Sequence, residues 1–193
     1  MRKILLIITM LSMVIMLTAQ DLEGTPKIKK GESYHAIELD GLFNFSMHRF
    51  GGGVGIQEVY GRQLNPHLVL GGGVGFSYLD YKVVDKQDLE LGKHDIDEFV
   101  FRLYFNLRYI VLADKKWSPM FMFSAGVLEI LDVSQRSRGF NPVRVSYELG
   151  ALASVFLGAN ARINDKCSLF GGVSYGVDVP MLTGFMLKMG VSF

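Results

Sequence analysis

The strongest constraint on the fold is a regular alternation of residue types between Phe99 and Leu112. Every second residue from Phe99 to Val111 is apolar or aromatic, while Arg102 and Arg108 lie at positions of the opposite parity. A period of two is typical of a β-strand, whose side chains point alternately to opposite faces. Such an apolar strip is as long as a tilted strand needs to cross a bilayer, although a soluble sheet that buries this face also fits the pattern.

The same alternation recurs along the chain and predicts eight strands. They cover Tyr34–Phe45, Phe50–Arg62, His67–Tyr78, Phe99–Leu112, Pro119–Leu131, Tyr147–Ile163, Cys167–Val179 and the C-terminal residues 184–193. An even number of strands is the rule for bacterial single-chain membrane barrels. The expected fold class is therefore all-β, an eight-stranded antiparallel up-and-down transmembrane β-barrel.

The connections between these strands alternate in length. Short, turn-like links are expected at Gln63–Pro66, Ala113–Ser118 and Asn164–Lys166, with longer charged loops at Lys82–Asp97 and Asp132–Val145. Long loops at one end and tight turns at the other are typical of outer-membrane barrels, whose tight turns face the periplasm. A soluble lipocalin-like barrel, the alternative, has no reason to segregate loop length in this way.

The N-terminal segment indicates export. Arg2 and Lys3 precede an apolar run from Ile4 to Leu17, and Ala19 offers a cleavage point, which is the pattern of a secretory signal peptide. We expect residues 1–19 to be the signal peptide, residues 20–32 a flexible segment and residues 33–193 the barrel. The expected location is the outer membrane of a Gram-negative bacterium.

Composition excludes several other classes of protein. Cys167 is the single cysteine, so no intramolecular disulfide stabilises the exported chain. The four histidines are scattered without metal-ligand spacing, and a formal net charge of +1 gives no general attraction for nucleic acid. We expect no cofactor, no metal and no nucleic-acid partner.

Two segments resemble a known family. The run from Tyr60 to Phe76 and the C-terminal strand ending in Phe193 are similar to small OmpA-like outer-membrane β-barrel domains. The resemblance implies an eight-stranded membrane barrel and makes Phe193 part of the signal read by the barrel-assembly machinery. Because the chain stops at Phe193, we expect no peptidoglycan-binding domain and no tethering to the cell wall.

If the apolar faces meet lipid, the polar faces must enclose a lumen that carries charge. Arg or Lys facing lipid at the bilayer midplane costs about 2–4 kcal/mol, and an unpaired buried charge is also costly. We therefore expect an ion-pair network in which the carboxylates of Glu38, Asp40 and Glu148 face the cations of Arg102, Arg108 and Lys188. The inward glycines are expected to make room for these long side chains: Gly51, Gly53, Gly55, Gly71, Gly73 and Gly75.

A few residues fall outside this scheme. Glu58 and Glu129 have lipid-facing parity, which is tolerable because both lie near strand ends, where a charge facing outward costs little. An aromatic girdle is expected at the periplasmic ends, formed by Tyr60, Tyr109, Trp117 and Phe193.

Catalytic and ligand-binding patterns are weak. The two glycine runs match no phosphate-binding motif. Ser46 and His48 lie together at the outer rim but lack an orienting acid in sequence, and the acidic loop Lys82–Asp97 fits no EF-hand.

The leading hypothesis is a non-enzymatic outer-membrane protein with a structural or surface-interaction role. A small porin-like channel and a lipid-modifying enzyme remain alternatives. The expected partners are outer-membrane lipid and lipopolysaccharide, the assembly machinery during biogenesis, and an extracellular ligand of unknown identity.

Overall fold

The chain forms a closed barrel of eight antiparallel strands. The computed structural model describes residues 31–45, 49–83, 94–134, 144–164, 167–179 and 182–193. The strands are β1 (Ser33–Phe45), β2 (Arg49–Asn65), β3 (Leu68–Val83), β4 (His94–Ile110), β5 (Trp117–Ser134), β6 (Arg144–Arg162), β7 (Ser168–Val179) and β8 (Leu182–Ser192). Each strand pairs with the next, and β1 also pairs with β8, which closes the sheet and confirms the predicted fold class.

The barrel is apolar on the outside and charged on the inside. On β4, Phe101, Leu103 and Phe105 are 46%, 53% and 45% exposed on the outer surface. Arg102 and Arg108 point into the lumen and are only 4% and 0% exposed. A soluble barrel arranges its residues the other way round, since water solvates charges and apolar groups are buried. The outer surface therefore fits a hydrocarbon environment, as in transmembrane barrels.

No helix within the described segments is long and apolar enough to cross a membrane.

Several strands continue beyond the predicted boundaries at the long-loop end. β4 begins at His94, β5 ends at Ser134 and β6 begins at Arg144, so parts of both predicted long loops are strand. The expected loop boundaries at Lys82–Asp97 and Asp132–Val145 are therefore wrong. Beyond a membrane both faces of a strand meet water, so the apolar alternation that marks a strand in the sequence is lost there. The rest of these loops, residues 84–93 and 135–143, lies outside the described residues.

The inward glycines make room for uncharged side chains. A Cβ added at Gly73 would lie 2.5 Å from Cζ of the Tyr104 ring, and one at Gly75 would lie 2.9 Å from Cγ of Gln57. Gly158 and Gly172 border the Phe156 ring in the same way. The expectation that these glycines accommodate the lumen charges is therefore corrected. Gly73 and Gly75 accommodate Tyr104 and Gln57, Gly53 and Gly55 lie against Leu79 and Ser77, and Gly71 lies against the backbone of β2.

Candidate functional site

Glu38 of β1 is the centre of a buried ion-pair network in the lumen. Its Oε1 accepts a hydrogen bond from Nη2 of Arg108, and its Oε2 accepts one of 2.7 Å from Nζ of Lys188. Lys188 lies on β8, the strand that pairs with β1, two residues before the residue opposite Glu38, which is Gly190. Arg108 lies on β4 and reaches Glu38 across the lumen. Glu38 and Arg108 are fully buried, so the contacts replace the water that both charges lose.

The guanidinium of Arg108 is held on several sides. Its Nε donates a 2.6 Å hydrogen bond to Oδ1 of Asn106, and its Nη1 donates one of the same length to the hydroxyl of Tyr34. The rings of Tyr34 and Phe170 lie 4.9 and 5.1 Å from its central carbon, within cation–π range. Arg108 is therefore fixed by charge, hydrogen bonds and ring contacts together.

A second part of the network joins β1, β2 and β4. Oε1 of Gln57 accepts hydrogen bonds from the Tyr104 hydroxyl at 2.5 Å and from Nζ of Lys188 at 3.3 Å. Nε2 of Gln57 donates to Oδ2 of Asp40. Nζ of Lys188 lies 3.6 Å from Oδ1 of Asp40, an ion pair longer than a hydrogen bond. Lys188 thus lies between two carboxylates, those of Glu38 and Asp40.

Arg102 forms a separate contact nearer the long-loop end. Its Nη1 donates to Oγ of Ser77, and its Nη2 lies 3.0 Å from Oδ2 of Asp178 on β7. Its partner is thus Asp178, which is not one of the three acids expected to face the cations: Glu38, Asp40 and Glu148. Asp178 has the same inward parity on β7, but sequence alone does not give the stagger that sets which residues meet across a barrel.

Glu148 is not part of this network, and its predicted place there is corrected. It pairs in register with Ile130, a lumen-facing residue, but Glu148 itself is exposed. It lies where β6 continues past the end of β7, so water solvates its carboxylate. Glu98, which the sequence analysis missed, is 2% exposed and lies on the same face of β4 as Arg102. Glu98 has the same parity as Arg102, which predicts an inward side chain. It lies between the predicted loop and the predicted strand, so it was assigned to neither.

Tyr34 and Tyr104 complete the network. Tyr104 has the same parity as Arg102 on β4, which identifies its side chain as inward-facing. Tyr34 shares parity with Glu38 on β1, a signal that identifies its side chain as inward-facing.

The network spans the lumen with balanced charge. Glu38 and Asp40 face Arg108 and Lys188, and Arg102 faces Asp178, so these six groups have no net charge when all are ionised. A cavity of about 30 Å³ borders Leu42, Leu79 and Asp178, which is room for about one or two water molecules. Among the described residues, no group of three or more His, Cys, Asp or Glu is arranged to hold a metal ion.

The other singled-out residues lie on the outer surface or outside the described residues. Oε1 of Glu58 accepts a hydrogen bond of 2.7 Å from the Tyr60 hydroxyl. It also lies 2.8 Å from Nε2 of His35, which donates a hydrogen bond to it when this nitrogen carries a proton. Glu129 is exposed. The four girdle residues face outward near the tight turns and the termini, between 37% and 58% exposed: Tyr60, Tyr109, Trp117 and Phe193. Ser46 and His48 lie outside the described residues.

Comparison with solved structures finds small outer-membrane barrels. OprG from Pseudomonas aeruginosa matches with a TM-score of 0.54 at 12% identity, covering 89% of this chain and 99% of that one. Neisserial surface protein A matches with a TM-score of 0.53 at 11% identity, covering 83% and 95%. A major outer membrane protein from Thermus thermophilus matches with a TM-score of 0.52 at 11% identity, covering 84% and 99%.

No family model and no curated protein matches the chain. The structural matches, at low identity, show the fold. The chain has the fold of a small eight-stranded outer-membrane β-barrel, as the resemblance in its sequence implied.

Proposed function

We propose that this protein is a non-enzymatic outer-membrane barrel with a closed lumen, whose role is structural or lies in interactions at the cell surface. The observation that carries the proposal is the balanced ion-pair network around Glu38, which joins side chains of β1, β4 and β8 across the lumen. An eight-stranded barrel is just wide enough for side chains to fill. With its interior occupied, the barrel offers its outer wall and its long-loop end for function.

The outer wall supports the membrane part of the proposal. Its exposed residues are mostly aliphatic and aromatic, and the aromatic residues Tyr60, Tyr109 and Trp117 lie towards the tight-turn end. This is the arrangement of an apolar band with an interfacial girdle. The partners that follow are outer-membrane lipid, lipopolysaccharide around the long-loop end, and the assembly machinery that reads the C-terminal strand.

Planar-bilayer recording tests the closed lumen. The purified wild-type barrel is expected to give no discrete conductance steps. Glu38→Ala/Lys188→Ala, which removes two members of the network, is expected to give small steps or flickering openings. The control is Glu58→Ala, which removes an outward carboxylate of the same barrel. Regular conductance from the wild type would overturn the closed-lumen proposal in favour of a channel.

Loop shortening tests the surface role. Replacing residues 84–93 or 135–143 with a short Gly-Asn turn keeps every described strand intact. Cells that make the shortened barrels should lose adhesion to host-cell or matrix-coated surfaces, while heat-modifiable gel mobility shows that the barrel still folds. Unchanged adhesion, together with lipid A mass changes that depend on Ser46 and His48, would favour an enzyme instead.

A further inference from the structure

The strands of the barrel extend to different distances at the long-loop end. β7 and β8 contain 12 and 11 residues, close to the 9–11 that a tilted strand needs to cross a bilayer. The end of β7 at Val179 and the start of β8 at Leu182 therefore mark the outer surface of the membrane. β6 contains 19 residues, and its register with β7 ends at Ala151, the partner of Val179. The segment Arg144–Gly150 thus extends past the membrane, paired with β5 on one side.

On its other side, this segment has a free edge. No described residue pairs with Arg144–Gly150 on the β7 side, because β7 ends at Val179, the partner of Ala151. Pro180, the next residue after β7, has no N–H to donate. We refer to Arg144–Gly150 on this side as the β6 edge.

The hydrogen-bonding groups of the β6 edge can be assigned. The N–H of Ile163 donates to the carbonyl of Cys167, on the β7 side, while the N–H of Arg162 donates to the carbonyl of Lys116, on the β5 side. In an antiparallel sheet, successive residues bond to alternate sides. The register of β5 with β6 is unbroken from Trp117–Ala161 to Ser134–Arg144, so the alternation continues. Val145, Tyr147 and Leu149 therefore direct their N–H and C=O groups to the β6 edge.

The surroundings of the edge indicate what it accepts. Leu149 is 78% exposed, so an apolar side chain is available beside the free backbone groups. Glu129 lies opposite Leu149 in register and is exposed, and Glu148 is exposed on the other face of the same strand. Glu148 thus places an acidic group on the edge strand itself, whereas Glu129 lies one strand further away, on β5.

We propose that the β6 edge binds an extended segment of an extracellular protein partner, which adds to the sheet as a further strand. Main-chain hydrogen bonds to Val145, Tyr147 and Leu149 supply the affinity, as in other cases of strand addition. Apolar side chains of the segment pack on Leu149, and Lys or Arg side chains on the opposite face of the segment meet Glu148. This inference rests on the proposed surface-interaction role and names the surface and the kind of partner.

A second copy of this chain does not fit the edge well. Two barrels in one membrane are related by an axis along the membrane normal, and tilted β6 strands related in this way cross each other. Strand addition needs neighbouring strands to run alongside one another. An extended peptide has no such restriction.

A labelled peptide tests the proposal in nanodiscs. The probe is a fluorescent nine-residue peptide of alternating valine and lysine, and its control is a twin of equal charge with methylated backbone nitrogens. We expect the probe to bind the wild type and the twin to bind about tenfold more weakly or less, since it lacks the donors. Equal binding of both peptides would show charge attraction alone and would overturn the proposal.

Variants of the protein separate backbone from side chain. Leu149→Pro removes an N–H of the edge without removing a β5–β6 bond, whereas Leu149→Ala shortens the side chain and keeps the N–H. Leu149→Pro should weaken probe binding by about tenfold, and Leu149→Ala should weaken it less. Heat-modifiable gel mobility shows whether Leu149→Pro folds. If it does not, the comparison of the probe with its methylated twin on the wild-type protein still tests the proposal.

Amide exchange tests whether the edge is free. In the protein without probe, the amides of Val145, Tyr147 and Leu149 should exchange quickly by NMR, and the probe should slow them. Slow exchange without probe would mean that this chain or a second copy already covers the edge, which overturns the proposal. Failure of strand addition would leave the bilayer and adhesion results of the proposed function unaffected.

Discussion

Among single residues, Glu38 has the largest expected effect, because its carboxylate bonds two cations from different strands. Glu38→Ala leaves Arg108 and Lys188 without their shared partner in the lumen. Removing one partner of a buried pair costs about 3–5 kcal/mol. The free energy of unfolding of Glu38→Ala should fall by this amount in urea titrations of barrels refolded into lipid vesicles.

Glu129→Ala is the control for this prediction, since its carboxylate is exposed on the outer surface. Its unfolding midpoint should stay close to that of the wild type. If Glu38→Ala unfolds at the wild-type midpoint, the ion-pair network does not stabilise the barrel.

Two adjacent glycines provide a second test at the residue scale. A Cβ at Gly73 would lie 2.5 Å from Cζ of Tyr104, whose hydroxyl is fixed by its 2.5 Å hydrogen bond to Gln57. Gly73→Ala should therefore destabilise the barrel by about 1–3 kcal/mol, the usual cost of overpacking.

Gly72→Ala serves as the matched control, because its Cβ would meet only the Tyr104 carbonyl oxygen at an ordinary 3.6 Å. Urea midpoints of the two variants give the comparison. Equal midpoints would mean that the Tyr104 ring moves aside easily.

At the scale of strands, the sequence predicts which residues face lipid within the membrane, but it does not predict how far the strands continue beyond the membrane. The parity of β4 was predictable because lipid on one side and a charged lumen on the other enforce alternation. The same strand begins at His94, in a run of acidic residues that resembles a loop. The first residues of β6, Arg144 and Val145, fell in the predicted loop for the same reason, and Glu148, predicted to face the lumen network, is exposed beyond the end of β7. Partners across the lumen, such as Arg102 with Asp178, depend on strand stagger, which the pattern does not encode.

A pair of leucines tests the medium around β4. Leu103 in the strand and Leu112 in the following turn are 53% and 46% exposed, so they differ mainly in depth. Leu103→Arg should cost about 2–4 kcal/mol and Leu112→Arg about 0–1 kcal/mol, because the cost of arginine facing lipid falls towards the interface. Unfolding in lipid vesicles measures both. Similar small effects of the two substitutions would indicate that water surrounds this face.

For the whole molecule, Phe193 allows assembly in cells to be tested separately from the stability of the folded barrel. Phe193 is 55% exposed, and its ring centroid lies 6.0 Å from that of His35, so it contributes little to the interior. We expect Phe193→Ala to reduce the folded barrel in the outer membrane several-fold, because the terminal aromatic residue belongs to the assembly signal implied by the sequence resemblance. Heat-modifiable mobility of membrane fractions measures the folded share.

Refolding of purified Phe193→Ala in detergent is the companion measurement and should match the wild type. Phe185→Ala, a change to a similarly exposed ring within β8, should assemble normally. A refolding defect in Phe193→Ala would instead assign the residue a structural role.

The neutrality of the lumen network has an electrical consequence. Moving one unbalanced unit charge across a membrane potential of 100 mV changes its energy by about 2.3 kcal/mol, which is the energy that drives voltage sensors. Glu38 and Asp40 oppose Arg108 and Lys188, so the field pulls these groups in opposite directions and transfers no net charge when they stay together. The barrel should therefore respond little to voltage: the wild type should give no conductance steps at either polarity across the membrane.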